Sequence, residues 1–212
     1  MEKKGFFSYY FRMFIAPRRT FNALLSDEKR FRYGFYAALI PALGYTLFYI
    51  MACRAGGAPS TFKPWLAIPA EDYFFWDIFL SIPGIFISII CATGIIQLLS
   101  HLWNTSGSFE DTFVVISFGS AVASWATMLH DLTDAFLSFT GVISMQEYER
   151  LLNDSGFFHY MLYTLFLIYF IWFPLLFAKG FSEVHKGSSA KSVFLGILGL
   201  IIYQGVLLIF IR

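Results

Sequence analysis

Apolar residues along this chain gather in five long runs instead of alternating or recurring singly: Tyr33–Cys53, Ile78–Leu99, Thr112–Leu132, His159–Ala178 and Ser192–Ile211. A helix rising 1.5 Å per residue needs ~20 residues to cross a hydrocarbon core, and each run supplies about that length. Barrel strands would alternate and stop after ~9–11 residues, which excludes a β-barrel. The pattern predicts an all-α integral membrane protein, with a five-transmembrane-helix bundle over residues 33–212.

The first 32 residues follow a different period. Phe7, Tyr10, Phe11 and Phe14 recur at helical spacing, with Ser8 and Arg12 on the other side. Pro17 suits the first turn of a second helix, in which Phe21, Leu24 and Leu25 share one face and Arg18, Arg19 and Asn22 another. The expectation is an amphipathic interfacial N-terminal segment, residues 1–32. Its Phe7, Phe11 and Phe14 would enter the apolar layer, while Arg12, Arg18 and Arg19 meet anionic lipid. Packing of this segment on the ends of the spans is the alternative.

Composition agrees. The 212 residues are 58% hydrophobic and 14% charged, against roughly 45–50% and about 25% in soluble domains. The net charge of +1 implies no attraction to nucleic acid. The distribution of charge is more informative. Eight of the 15 basic residues precede the first run, and Lys179, Lys186 and Lys191 lie between the fourth and fifth. The positive-inside rule then puts the N-terminus and the second and fourth loops in the cytoplasm, and the C-terminus outside. No signal peptide is expected, because the first 32 residues lack a small-residue cleavage site.

Local signals refine the plan. Small residues at spacing four (Gly34, Ala38, Ala42; Gly84, Ser88; Gly119, Ala123; Ser120, Ser124; Ser192, Gly196) suit close helix packing within the bundle, with dimer faces as the other option. Trp65, Tyr73, Phe74, Phe75 and Trp76 read as an interfacial aromatic belt. Ser144 and Glu147 match a capping box, predicting a short surface helix from about Met145 to Leu152. Cys53 and Cys91 lie at depths ~21 Å apart and are not expected to pair.

The chain carries no His-Glu-x-x-His, Gly-x-Ser-x-Gly or P-loop, and the interiors of the runs hold no Lys, Arg, Asp or Glu. An enzyme is not expected, and no cofactor is implied. Gln97 and Gln204 are the deep polar side chains, each suited to hydrogen-bonding a neighbouring helix. A candidate metal or proton site lies at the outer boundary. His130 and Asp134 share a helix face if the third helix continues that far, and Asp77, Asp72 and Glu71 open the second span on the same side, as His159 opens the fourth. The simpler reading is that these residues mark where helices meet water. Asp77 and Asp111 also sit where a helix macrodipole favours a carboxylate.

Two segments together resemble a known family. "FIAPRRTFNALLSDEKRFRYGFYAALI" (14–40) pairs a Pro-x-x-Thr-Phe helix with a first span after a short basic link. "SGSFEDTFVVISFGSAVASWATML" (106–129) opens a span with Gly-x-Phe-x-Asp-Thr-Phe and carries small residues midway. Both are similar to the Yip family of Ypt/Rab-interacting membrane proteins, in particular its short prokaryotic members. The run Phe118-Gly119-Ser120-Ala121-Val122 stands where the family commonly has Gly-Tyr-Ser followed by Pro, and the Asp-Leu-Tyr-Gly-Pro motif of eukaryotic members is absent. The resemblance implies a non-enzymatic membrane-organising or partner-binding scaffold in a prokaryotic cytoplasmic (inner) membrane, whose partners are the lipid bilayer, itself as a homo-oligomer, or other membrane proteins. The alternative is a small channel or transporter with the outer His130 and acidic cluster as a cation site.

Overall fold

A computed structural model describes residues 5–57, 65–103 and 107–211. The described residues form nine α-helices and one 3-10 turn, with no strand. The N-terminal segment divides into two short helices, α1 (Phe6–Ile15) and α2 (Pro17–Leu25). The break between them is local. A residue before proline is driven out of the α region, and Ala16 duly stands at φ −137° while Pro17 opens α2.

Four helices are long and apolar enough to cross a membrane. These are α3 (Arg30–Arg54), α4 (Tyr73–His101, led by the 3-10 turn Ala70–Asp72), α8 (Phe157–His185) and α9 (Ser189–Phe210). The third apolar run is not one straight helix. It forms α5 (Phe109–Ala123) and α6 (Trp125–Phe139), bent by 44° at Ser124, and the pair makes a fifth crossing if it is taken as one span. No proline lies between Phe109 and Phe139. Around the bend, hydroxyls bond back to the preceding turn: Ser120 donates to the Ser117 carbonyl at 3.1 Å and Thr127 to that of Ser124 at 3.0 Å. Back-bonding of this kind bends helices.

The arrangement around α5 determines everything else. Every residue from Thr112 to Ala123 is buried. The helix is enclosed by α3, α4 and α8, with α1 and α2 against it as well. The other spanning helices turn large apolar side chains outward, among them Leu47, Phe79, Leu98, Leu167 and Ile201, each more than half exposed. So broad an apolar surface is a lipid belt, because soluble monomers rarely show one.

Small residues mediate the packing within the bundle. A Cβ on Gly196 would stand 2.5 Å from the Pro174 carbonyl oxygen, so α9 rests almost on the backbone of α8. Gly119 accepts the ring of Phe177, and Gly34 lies against Phe113 and Val114. At the far end α7 (Met145–Asn153) begins as the capping box foretold, with the Ser144 hydroxyl accepting from the Glu147 amide at 3.1 Å. Two bonds from Arg150, at 2.7 and 3.1 Å, hold the Glu147 carboxyl below its usual range.

Two expectations change here. Asp77 does not meet water at the start of the second span, because α4 begins at Tyr73 and leaves Asp77 fully buried inside it. The aromatic belt is also divided: Trp65, Phe75 and Trp76 face outward, whereas Tyr73 and Phe74 pack inside. One helical turn carries residues to both faces, so a cluster of consecutive aromatics cannot all reach the interface.

Candidate functional site: the N-terminal strap and the motif junction

Sequence period gave α1 one apolar face, but it has two. Tyr9, Tyr10 and Met13 are buried against the bundle, and α2 adds Phe21 and Leu24, both fully buried. Withdrawing each such side chain from water contributes about 1.5–3 kcal/mol, enough to hold a short segment in place. Phe7 (68% exposed), Phe11 (63%), Phe14 and Ile15 remain outside. Arg12, Arg18 and Arg19 are exposed. The strap is therefore docked on protein along one side and open along the other.

Polar contacts pin it at three places. The Tyr10 hydroxyl donates to the Ala121 carbonyl at 3.2 Å and accepts from the Trp125 indole N–H at 2.6 Å, spanning the bend between α5 and α6. Burial pushes the Tyr10 phenol up to about 12. Tyr9 donates to Asp27 at 3.1 Å. Arg18 and Asn22 bond the two carboxylate oxygens of Glu183 at 2.7 and 3.1 Å, tying α2 to the end of α8.

Beside the strap lies the junction built by Gly107-Ser108-Phe109-Glu110-Asp111-Thr112-Phe113. Ser108 caps α5 by accepting from the Asp111 amide at 3.1 Å. The Asp111 carboxylate takes the Arg30 Nε–H at 2.6 Å, joining the first turns of α3 and α5. Thr112 donates to the Gln97 side-chain oxygen at 2.8 Å, and Gln97 donates to the Gly107 carbonyl at 2.6 Å. Gln97 is thus the interhelical bridge its depth suggested. Gly107 sits against His185, where a Cβ would overlap the ring. The motif builds a packed junction of α3, α4, α5 and α8, not an open catalytic cleft.

At the opposite end, α6 does run on, to Phe139, so His130 and Asp134 fall one turn apart on the same helix. Their hydrogen bonds are local, although the His130 ring packs on Tyr148 of α7 at 5.7 Å between centroids. His130 Nδ1 lies 3.0 Å from Asp131, and the Asp134 carboxylate accepts from Ser138 at 3.2 Å. Glu71 and Asp72 are exposed on the 3-10 turn, Asp77 is buried in α4, and His159 Nδ1 lies 2.6 Å from the Leu152 carbonyl. Among the described residues no three His, Cys, Asp or Glu side chains form a group able to hold a metal ion. Cys53 and Cys91 are both free thiols.

Sequence reasoning passed over Glu183, gave Tyr10 to the interfacial face of α1 and put Asp131 at the outer water boundary. The first two act across large sequence separations. Asp131 lines a cavity of about 200 Å³ with Tyr45, Thr127, Tyr169 and Gln204. A carboxylate at the end of a long uncharged run was the available signal, and it was read toward water, not toward the bundle.

An all-helical chain with a lipid-facing apolar surface, a strapped amphipathic N-terminus and a motif-built junction defines a polytopic integral membrane protein. A family model describing the Yip1 domain matches residues 11–211, nearly the whole chain. The chain belongs to that family. No curated protein and no solved structure matches it.

Proposed function

We propose that this Yip1-family protein is a non-enzymatic scaffold that organises the membrane around it or binds other membrane proteins through its strap. The observation that carries the reading is the division of α1, with Tyr10 and Met13 packed inward and Phe7, Phe11 and Phe14 left open beside exposed Arg12, Arg18 and Arg19. An aromatic and basic face of that kind suits the headgroup layer of an anionic leaflet. The end carrying α1, α2 and the α8–α9 turn is the cytoplasmic one in this proposal, and the C-terminus of α9 is external.

Single-cysteine labelling in intact cells tests the orientation. A cysteine at Lys186 should resist a membrane-impermeant reagent, and one at Arg150 should react. The opposite pattern would invert the protein. For the strap, Phe7→Gln with Phe11→Gln should reduce cross-linking of the full-length protein to its neighbours in the membrane while leaving its thermal stability within about 0.5 kcal/mol, as for surface changes generally. Undiminished cross-linking would remove the strap from the scaffold's working surface.

A further inference from the structure

The basic end contains a groove that the strap alone does not explain. Between α2, α8 and α9 lies a cavity of about 450 Å³, lined by Arg18, Lys179, Ser182, Lys186, Ser189 and Val193 among others. A neighbouring hollow of about 440 Å³ shares Arg18 and adds Arg19 and Asn22. The acid common to both, Glu183, already pairs with Arg18 at 2.7 Å. Neither Lys179 nor Lys186 makes an ion pair among the described residues. The groove therefore holds a surplus of positive charge with hydroxyl donors beside it.

Its depth is equally informative. Lys179 follows directly on the apolar run of α8, so the groove lies at headgroup level. The apolar surface continues from its rim along both helices, through Leu175 on α8 and Val193 and Ile197 on α9, each more than two-fifths exposed. Charge above and an apolar track below match the two ends of a phospholipid. Lys186 also stands at φ 48°, the only non-glycine residue at positive φ among those described. The left-handed region costs an ordinary side chain of order 1 kcal/mol, and glycine follows immediately at 187. The turn places a cation there in spite of that cost. The first turn of α9, a helix of 22 residues, adds its amide dipoles at the same rim.

We propose that this groove seats the phosphate of one anionic phospholipid, with Lys179, Lys186 and Arg18 as its cationic contacts and Ser182 and Ser189 as hydroxyl donors. Basic pockets between spanning helices are built for such headgroups. The proposal needs no particular orientation in the cell and does not require the scaffold reading.

Native mass spectrometry of the full-length protein, released from nanodiscs of phosphatidylglycerol and phosphatidylcholine with matched acyl chains, tests it. The protein should keep one phosphatidylglycerol. Lys179→Gln with Lys186→Gln should lower that preference by about tenfold or more. Lys29→Gln with Arg32→Gln removes the same charge from exposed positions outside the groove and should leave the bound lipid in place. Lys179→Arg with Lys186→Arg should restore it. Inorganic phosphate at millimolar concentration should not displace the lipid. Equal losses in the two Gln pairs would reduce the effect to diffuse surface attraction and overturn the site. Retention by the groove variant, or displacement by inorganic phosphate, would overturn it as well.

Discussion

The indole N–H of Trp125 lies 2.6 Å from the Tyr10 hydroxyl, so the first residue of α6 is held by the second turn of α1. The same hydroxyl donates to the Ala121 carbonyl of α5. One side chain of the strap therefore holds both arms of the bent span, and the bend at Ser124 is coupled to the docking of α1.

Tyr10→Phe, which removes two hydrogen bonds, should destabilise the protein by about 2 kcal/mol, and Trp125→Phe, which removes one of them, by about 1 kcal/mol. Because they remove the same contact, the double variant should cost well under the sum in a thermal or denaturant unfolding cycle. Full additivity would show that the contact contributes nothing. A pH signature follows from the raised phenol. Its stabilising contribution is complete below pH 10 and is lost as pH rises to about 12, and Tyr10→Phe should remove that part of the alkaline decline.

The α8–α9 contact yields a contrast between two glycines of one helix. Gly196→Ala would place a methyl 2.5 Å from the Pro174 carbonyl oxygen and 2.9 Å from the Ala178 amide nitrogen, whereas a Cβ at Gly205 meets nothing within 4 Å. Backbone cannot yield as a flexible side chain does, so Gly196→Ala should cost about 1–3 kcal/mol. Gly205→Ala should be neutral or slightly stabilising, since alanine is the better helix former. Similar melting temperatures for the two variants would refute the close approach.

At the motif junction the Arg30 Nε–H meets Asp111 at 2.6 Å, with about a quarter of each side chain exposed. That exposure screens the pair and limits its worth to about 1 kcal/mol. Arg30→Lys should recover little of the loss from Arg30→Gln, because an ammonium cannot reproduce the planar guanidinium donor. Full rescue by lysine would mean that charge alone matters there.

For the opposite end, metal content of the purified protein should be trace, and equal in the His130→Ala, Asp134→Asn double variant. Both residues are engaged locally, with Asp131 and Ser138. Stoichiometric metal that vanishes in the variant would instead establish a cation site at this boundary.

Hydropathy alone determined that the chain is helical and built for a bilayer, and local spacing placed the capping box at Ser144 and the interhelical role of Gln97. These properties are written in consecutive residues or in one polar side chain within an apolar run. Three others were decided only by the tertiary structure. The third run has its first half, α5, enclosed by other helices and bends at Ser124, while Asp77 is drawn inside the bundle and Tyr10 locks the strap to Trp125. An apolar residue is equally at home against lipid or against another helix, so a hydropathy pattern records which residues avoid water without saying what they touch instead. A contact such as that between residues 10 and 125 has no period in the sequence. It exists because α1 lies against the one helix that the other spans leave no room to face lipid.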